Sequence, residues 1–208
     1  MLGKQKFLIF GSQIKIHKFL KIKNADKVLE VLFEISTAVQ RTKDLSALYR
    51  EIHKSLANIL NVDNFFIANH NKQKDSISFP YYIDKQDPEL PSEIFNFSKT
   101  GSLTAKVIMA GQPLIFFSKD LAEIKKENLL LNKSPIGSPS KVWLGVPLKV
   151  KDRTIGVVAV QSYSSEKKYK ETDLEILDMV SQHIAFAVER KEADDIMKKE
   201  RQIFEKNT

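Results

Sequence analysis

The sequence predicts a mixed α/β domain whose antiparallel sheet is covered on both faces. Two observations carry this. A closing hairpin, residues 142–163, is apolar on both faces of both strands, whereas a half-exposed antiparallel strand shows polar alternation. Helical stripes of apolar residues stand before and after it, so the hydrophobic period switches from helical to strand-like and back. The chain has 208 residues, 42% of them apolar, which suits one domain with one core and helical extensions.

Residues 26–60 read as two helices. Val28, Leu32, Ile35 and Val39 form the first stripe; Leu45, Leu48, Ile52, Leu56 and Ile59 form the second. Asp44 between them is placed to cap the second helix. Asn64 to His70 and Ser76 to Ile83, rich in aromatic and β-branched residues, read as an antiparallel pair across a polar turn. Residues 84–98, with Pro88 and Pro91, read as loop with at most one helical turn. Gly101-Ser102 opens a short helix that ends at Gly111, a left-handed cap with Pro113 beyond it. Leu114 to Phe117 is a short strand. Residues 118–141 are the least regular: a charged helical piece, Leu121 to Leu131, precedes a loop dense in serine, proline and glycine. The closing strands run 142–150 and 154–163. In a central strand, Pro147 marks a bulge or a local edge. The last helix begins near Thr172, where Thr172 and Glu175 have capping-box spacing. Its stripe is Leu174, Leu177, Val180, Ile184 and Ala187 or Val188. Residues 191–208 read as a charged helical linker, too polar to dock on a core, leading toward an output domain.

The net charge of +7 is concentrated: residues 1–25 hold six lysines and no acid. The remainder is nearly neutral. A folded surface for nucleic acid would carry basic charge interleaved with aromatics, so no nucleic-acid partner is expected. No apolar run reaches the roughly 20 residues of a membrane helix, and a cytoplasmic location is expected. The chain has no cysteine. That excludes a thiolate nucleophile, cysteine-held metals and a thioether-linked chromophore. His17, His53, His70 and His183 form no ligand pair, and neither a phosphate loop nor a nucleophile elbow is present. No enzyme activity and no metal are expected.

Four motifs, in order, carry a family resemblance. They are Gly111-Gln112-Pro113-Leu114, Leu144-Gly145-Val146-Pro147-Leu148, Ile155-Gly156-Val157-Val158-Ala159-Val160, and Asp173-Leu174 with Leu177 leading to Ala185 and Ala187. Together they make residues 26–190 resemble a GAF domain, a sensory module of bacterial signal-transduction proteins. The resemblance implies a six-stranded antiparallel sheet, with the first and last helices on one face. On the other face, the short helix and segment 118–141 would wall a small-molecule pocket. It implies tandem partners such as histidine kinases or cyclic-di-nucleotide enzymes. The branch that reduces methionine sulfoxide through cysteines, and covalent tetrapyrrole photoreceptors, are excluded by composition. Asn71-Lys72 begins like the cyclic-nucleotide signature, but the later residues fall out of register.

Five ligand-contacting positions follow from placement in that pattern: Phe66, Ser118, Asp120, Trp143 and Gln161. Four of them have a second reading. Asp120 either meets a ligand or caps the following helix. Phe66 and Trp143 either line a cavity or fill the core. Gln161, a polar residue late in an apolar strand, needs a partner, which is either a ligand or backbone at the sheet edge. Two functions compete: a sensor of an unidentified, non-covalent small molecule that signals through its terminal helices, and a ligand-free dimerising spacer. A homodimer through the N- and C-terminal helices is expected from the length of the first stripe and the extension beyond Val188.

Overall fold

A computed structural model describes residues 25–87, 89–131 and 137–206. Residues 1–24 of the basic tail, and Ser134 to Ile136 of the expected loop, lie outside the described residues. The hairpin forms as expected: β5 (Val142–Val150) and β6 (Arg153–Ser162) pair from Val142 opposite Ser162 to Val150 opposite Arg153. Lys151 in its turn takes a left-handed conformation, φ 55°, at the turn that lacks glycine.

Around the hairpin stand β1 (Phe65–Asn71), β2 (Ser76–Ile83), β3 (Glu93–Phe95) and β4 (Leu114–Phe117). The six strands form one antiparallel sheet in the order β3-β2-β1-β6-β5-β4. β3 was expected to be loop. Its three residues pair with Ser76, Ile77 and Ser78, too short a run to show a strand period in sequence. Because β4 covers β5 only from Val142 to Gly145, Pro147 sits at a local edge where its missing N–H is tolerated. A Cβ at Gly156 would run into the carbonyl of Ala68, which explains that glycine as a close approach of β1 to β6.

Parity along the strands divides the molecule. Phe65, Ile67, Leu144, Val146, Leu148, Val158 and Val160 point to one face and form the main core with three helices. These are α1 (Ala25–Arg41), α2 (Leu45–Leu56) and α5 (Glu171–Lys206). Asp44 caps α2 as expected, its carboxylate accepting from the Ala47 N–H at 2.8 Å. The cap of α5 differs from expectation. The helix starts at Glu171, so the third helical residue is Asp173, and its carboxylate accepts from the Lys170 N–H at 2.7 Å. Thr172 is already inside the helix, and the Thr172–Glu175 box is not the start signal.

Two further expectations change. The first stripe is consumed within the chain: Val28, Val31, Ile35, Ala38 and Val39 are buried, and Leu29 and Phe33 are exposed instead. α1 packs alongside α5, with Ser36 bonded to His183 at 3.0 Å and the Thr42 carbonyl to Lys191 at 2.6 Å. These contacts advance together along both helices, so the two run parallel. The extension beyond residue 190 is helical, as the sequence suggested, but its first residue does dock on the core. α5 continues unbroken to Lys206, and Lys191, taken from sequence as linker, is 1% exposed. Its ammonium closes the free carbonyl end of α1 and pairs with Asp195 at 3.7 Å.

Candidate functional site

The opposite face of the sheet carries a second, smaller core of Phe66, Ala68, Trp143, Val157 and Ala159, packed against Val107 of α3 (Leu103–Ala110). Trp143 lies flat along β5: a Cβ at Gly145 would overlap its ring, so the glycine makes room for the indole. β2 adds two more rings through an irregularity. Ile67 pairs with Tyr81 and Asn69 with Ser78, so Phe79 and Pro80 together oppose the single residue Ala68. This bulge shifts the strand's parity by one. Phe79 and Tyr82, three apart, therefore face the same side, while Tyr81 turns to the main core. Ring centroids stand 5.6 Å apart for Phe66–Phe79, 6.1 Å for Phe66–Tyr82 and 6.5 Å for Phe66–Trp143.

Two helices stand over these rings. Ser102 caps α3, accepting from the Ala105 N–H at 3.1 Å, and Gly111 ends it in the left-handed region at φ 60°. α4 (Ser118–Leu130) begins three residues earlier than the sequence suggested. Asn128, the buried residue of α4, donates its amide to the Gly101 carbonyl at 2.9 Å and fills the space a side chain at Gly101 would need. This ties α4 to the start of α3. Between the sheet, these helices and residues 137–141 remains a cavity of about 410 Å³, within the range of small-molecule sites. Thr104 and Ser140, both largely buried, add hydroxyl-bearing side chains to its lining.

One end of the cavity is acidic. Asp84 accepts from the Gln86 and Asp87 N–H groups through one oxygen. Its other oxygen accepts from the Gln161 amide at 2.7 Å and the Tyr163 hydroxyl at 2.9 Å. Asp87 accepts from both the N–H and the hydroxyl of Ser138, which fixes residues 137–141 to the sheet. Burial pushes the Asp87 carboxyl up, but the Ser138 and Tyr163 bonds together outweigh it and hold it below the usual range. Burial, then the neighbouring carboxylates, drive the Tyr82 and Tyr163 hydroxyls far above the ordinary tyrosine value, so both stay neutral donors.

Four of the five sequence-nominated residues meet here. Phe66, Ser118, Trp143 and Gln161 line the cavity. Asp120 does not: its carboxylate accepts from the Phe117 N–H at 2.9 Å and caps α4. The Gln161 amide nitrogen goes to Asp84 and Tyr163 rather than to backbone at the sheet edge. Sequence reasoning missed Asp84, Asp87, Tyr82, Asn128, Thr104 and Ser140. The two aspartates sit in a stretch that reads as ordinary turn, and nothing in the charged pattern of α4 distinguishes Asn128. Among the described residues no cluster of three or more histidine, aspartate or glutamate side chains is placed to hold a metal ion.

The arrangement is that of a regulatory α/β module, with a pocket built onto one face of an antiparallel sheet. The profile of the GAF domain family matches residues 42–189, and the chain belongs to that family. Solved structures agree on the fold. The GAF domain of a phosphoenolpyruvate-protein phosphotransferase from Coxiella burnetii is 17% identical, TM-score 0.61, over 84% of this chain and 99% of that one. The A. aeolicus nlh2 GAF domain in an inactive state is 17% identical, TM-score 0.58, over 78% and 96%. A methyl-accepting chemotaxis protein, residues 122 to 287, is 21% identical, TM-score 0.56, over 75% and 95%. No match was found among curated proteins. Among the described residues no helix is long and apolar enough to cross a membrane.

Proposed function

We propose that the chain is the small-molecule-sensing domain of a cytoplasmic signal-transduction protein, of the histidine kinase or cyclic-di-nucleotide enzyme type. The observation that carries this is the cavity: about 410 Å³, floored by aromatic rings and bordered by the polar side chains of Ser118, Thr104 and Gln161. A concave, mostly apolar pocket with a few convergent polar groups is the usual form of a small-molecule site. Phe66, Trp143, Gln161 and Ser118 are the proposed ligand contacts, with no covalent link and no metal. In this reading the domain acts by binding.

The signal leaves through α1 and α5. Their parallel packing, pinned by Ser36–His183 and Thr42–Lys191, favours movement of the two as a unit. The projecting end of α5 offers Ile196, Met197, Ile203 and Phe204 to solvent, two pairs spaced seven apart, as a seam for a second copy. Leu29 and Phe33 of α1 and Phe186 of α5 extend the same apolar exposure onto the domain body. A homodimer through these helices, leading to an output domain, follows from that seam.

The test is a thermal-shift screen of metabolites, followed by titration of Trp143 fluorescence. A ligand at a hundredfold excess over its Kd adds roughly 2.7 kcal/mol of stability. The exposed helix residues favour one rival, a dimerising spacer that binds nothing. It wins if no metabolite stabilises the protein while sedimentation shows a dimer that Phe33→Glu dissociates.

A further inference from the structure

The sensing reading leaves the ligand's chemistry open, and the acidic end of the cavity narrows it. Asp84 can only accept hydrogen bonds, so the Gln161 amide must present its NH2 to it. That turns the Gln161 carbonyl oxygen away. No donor among the described residues reaches it, although the residue is only 9% exposed and lines the cavity. Asp87, also on the lining, holds two bonds from Ser138. The single hydrogen of Tyr163 goes to Asp84, at 2.9 Å, rather than to Asp87, at 3.3 Å. A carboxylate has about four acceptor sites, so Asp87 keeps acceptor capacity. The free capacity of Gln161 and Asp87 is therefore acceptor in character, and the Tyr82 hydroxyl beside them can donate or accept.

Charge points the same way. Asp84 and Asp87 add two negative charges, and among the described residues no lysine or arginine stands within ion-pair distance of either. The aromatic floor beside them offers ring faces that attract cations. Lys125 and Lys141 also border the cavity, but both side chains are exposed to water and weakened by it.

We infer that the cavity takes a molecule with a flat apolar body and a protonated amine, the amine at Asp87 and Gln161 and the body on the rings of Phe66, Tyr82 and Trp143. This rests on the sensing reading, and the test separates the two. Phenethylamine, 2-phenylethanol and phenylacetate share one body and differ in the terminal group. Their binding to the wild-type chain at neutral pH is measured by ligand-observed NMR and Trp143 fluorescence. The amine binds roughly tenfold more tightly than the alcohol, the ordinary worth of a hydrogen bond to a charged group. Asp87→Asn abolishes that preference, read as the ratio of amine to alcohol affinity within the variant. Equal affinity of amine and alcohol for the wild-type chain overturns the inference, and so does tightest binding by the carboxylate, which would assign the cavity to anions held by Lys125 and Lys141. Binding by none of the three, with fluorescence unmoved, overturns the sensing reading beneath it. The wild-type comparison stands even where Asp87→Asn loosens the segment held through Ser138.

Discussion

Gly145→Ala probes the floor of the cavity directly. The added methyl would overlap three atoms of the Trp143 ring, and the ring has few ways to move. Phe66 flanks it at 6.5 Å and Phe116 at 6.1 Å, and the sheet lies beneath. The open side is the cavity, so the indole tips into it. Forcing a methyl into a packed site costs about 1–3 kcal/mol, from which the chain-entropy gain of replacing glycine removes roughly 0.4–1. The expected net loss is about 1–2 kcal/mol. Trp143 is the protein's sole tryptophan, so urea unfolding followed by its fluorescence reads stability and position in one experiment. Alanine at 145 lowers the midpoint with an unchanged m-value, shifts the folded-state emission to the red and weakens binding of any cavity ligand. An unchanged midpoint together with unchanged emission would refute the placement of the indole over Gly145.

Lys191→Met keeps the length of the side chain and removes the bond to Thr42; a loss of roughly 1.5–3 kcal/mol is expected in the same unfolding assay. Asn128→Leu strips the link between α4 and Gly101, leaves a carbonyl unpaired at a cost of about 1–3 kcal/mol, and exposes residues 118–131 to faster limited proteolysis. Glu192→Gln raises the melting temperature at pH 7. Burial, with Glu189 adding to it, raises the Glu192 carboxyl above its ordinary value. The folded state thus holds this proton more tightly, an advantage present at low pH and lost as pH rises through the folded pKa. The gap between variant and wild type should close as the pH is lowered through that value.

The sheet was legible where burial imposed a period. Both strands of the closing hairpin are buried on two faces, and no other element gives so continuous an apolar run. The helix stripes were equally clear, but a stripe does not say which copy of the chain covers it; Val28 and Ile35 turned out to serve their own subunit. The cavity was legible through its large residues alone. Phe66, Trp143 and Gln161 stand out because they break or weight a strand pattern. Asp84 and Asp87 do not, since aspartate in a turn has a local explanation sufficient in itself. Lys191 was misread for a similar reason: its buried role depends on the carbonyl end of α1, 149 residues away in the chain. A lysine among charged neighbours carries no mark of that partner.

The bulge at Pro80 gives β2 an internal change of phase. Before it, odd-numbered residues face the cavity; after it, even-numbered ones do. The extra residue therefore sets the path of the strand rather than the choice of faces. Deleting Pro80 would leave Phe79 alone opposite Ala68 and restore strict alternation, with Tyr81 still beside His53 and Phe65 and Tyr82 still on the cavity side. What the second residue supplies is a local bend and a stronger twist between Phe79 and Tyr82. Among relatives of this domain, a one-residue gap at Pro80 thus predicts the same residues around the pocket on a straighter strand.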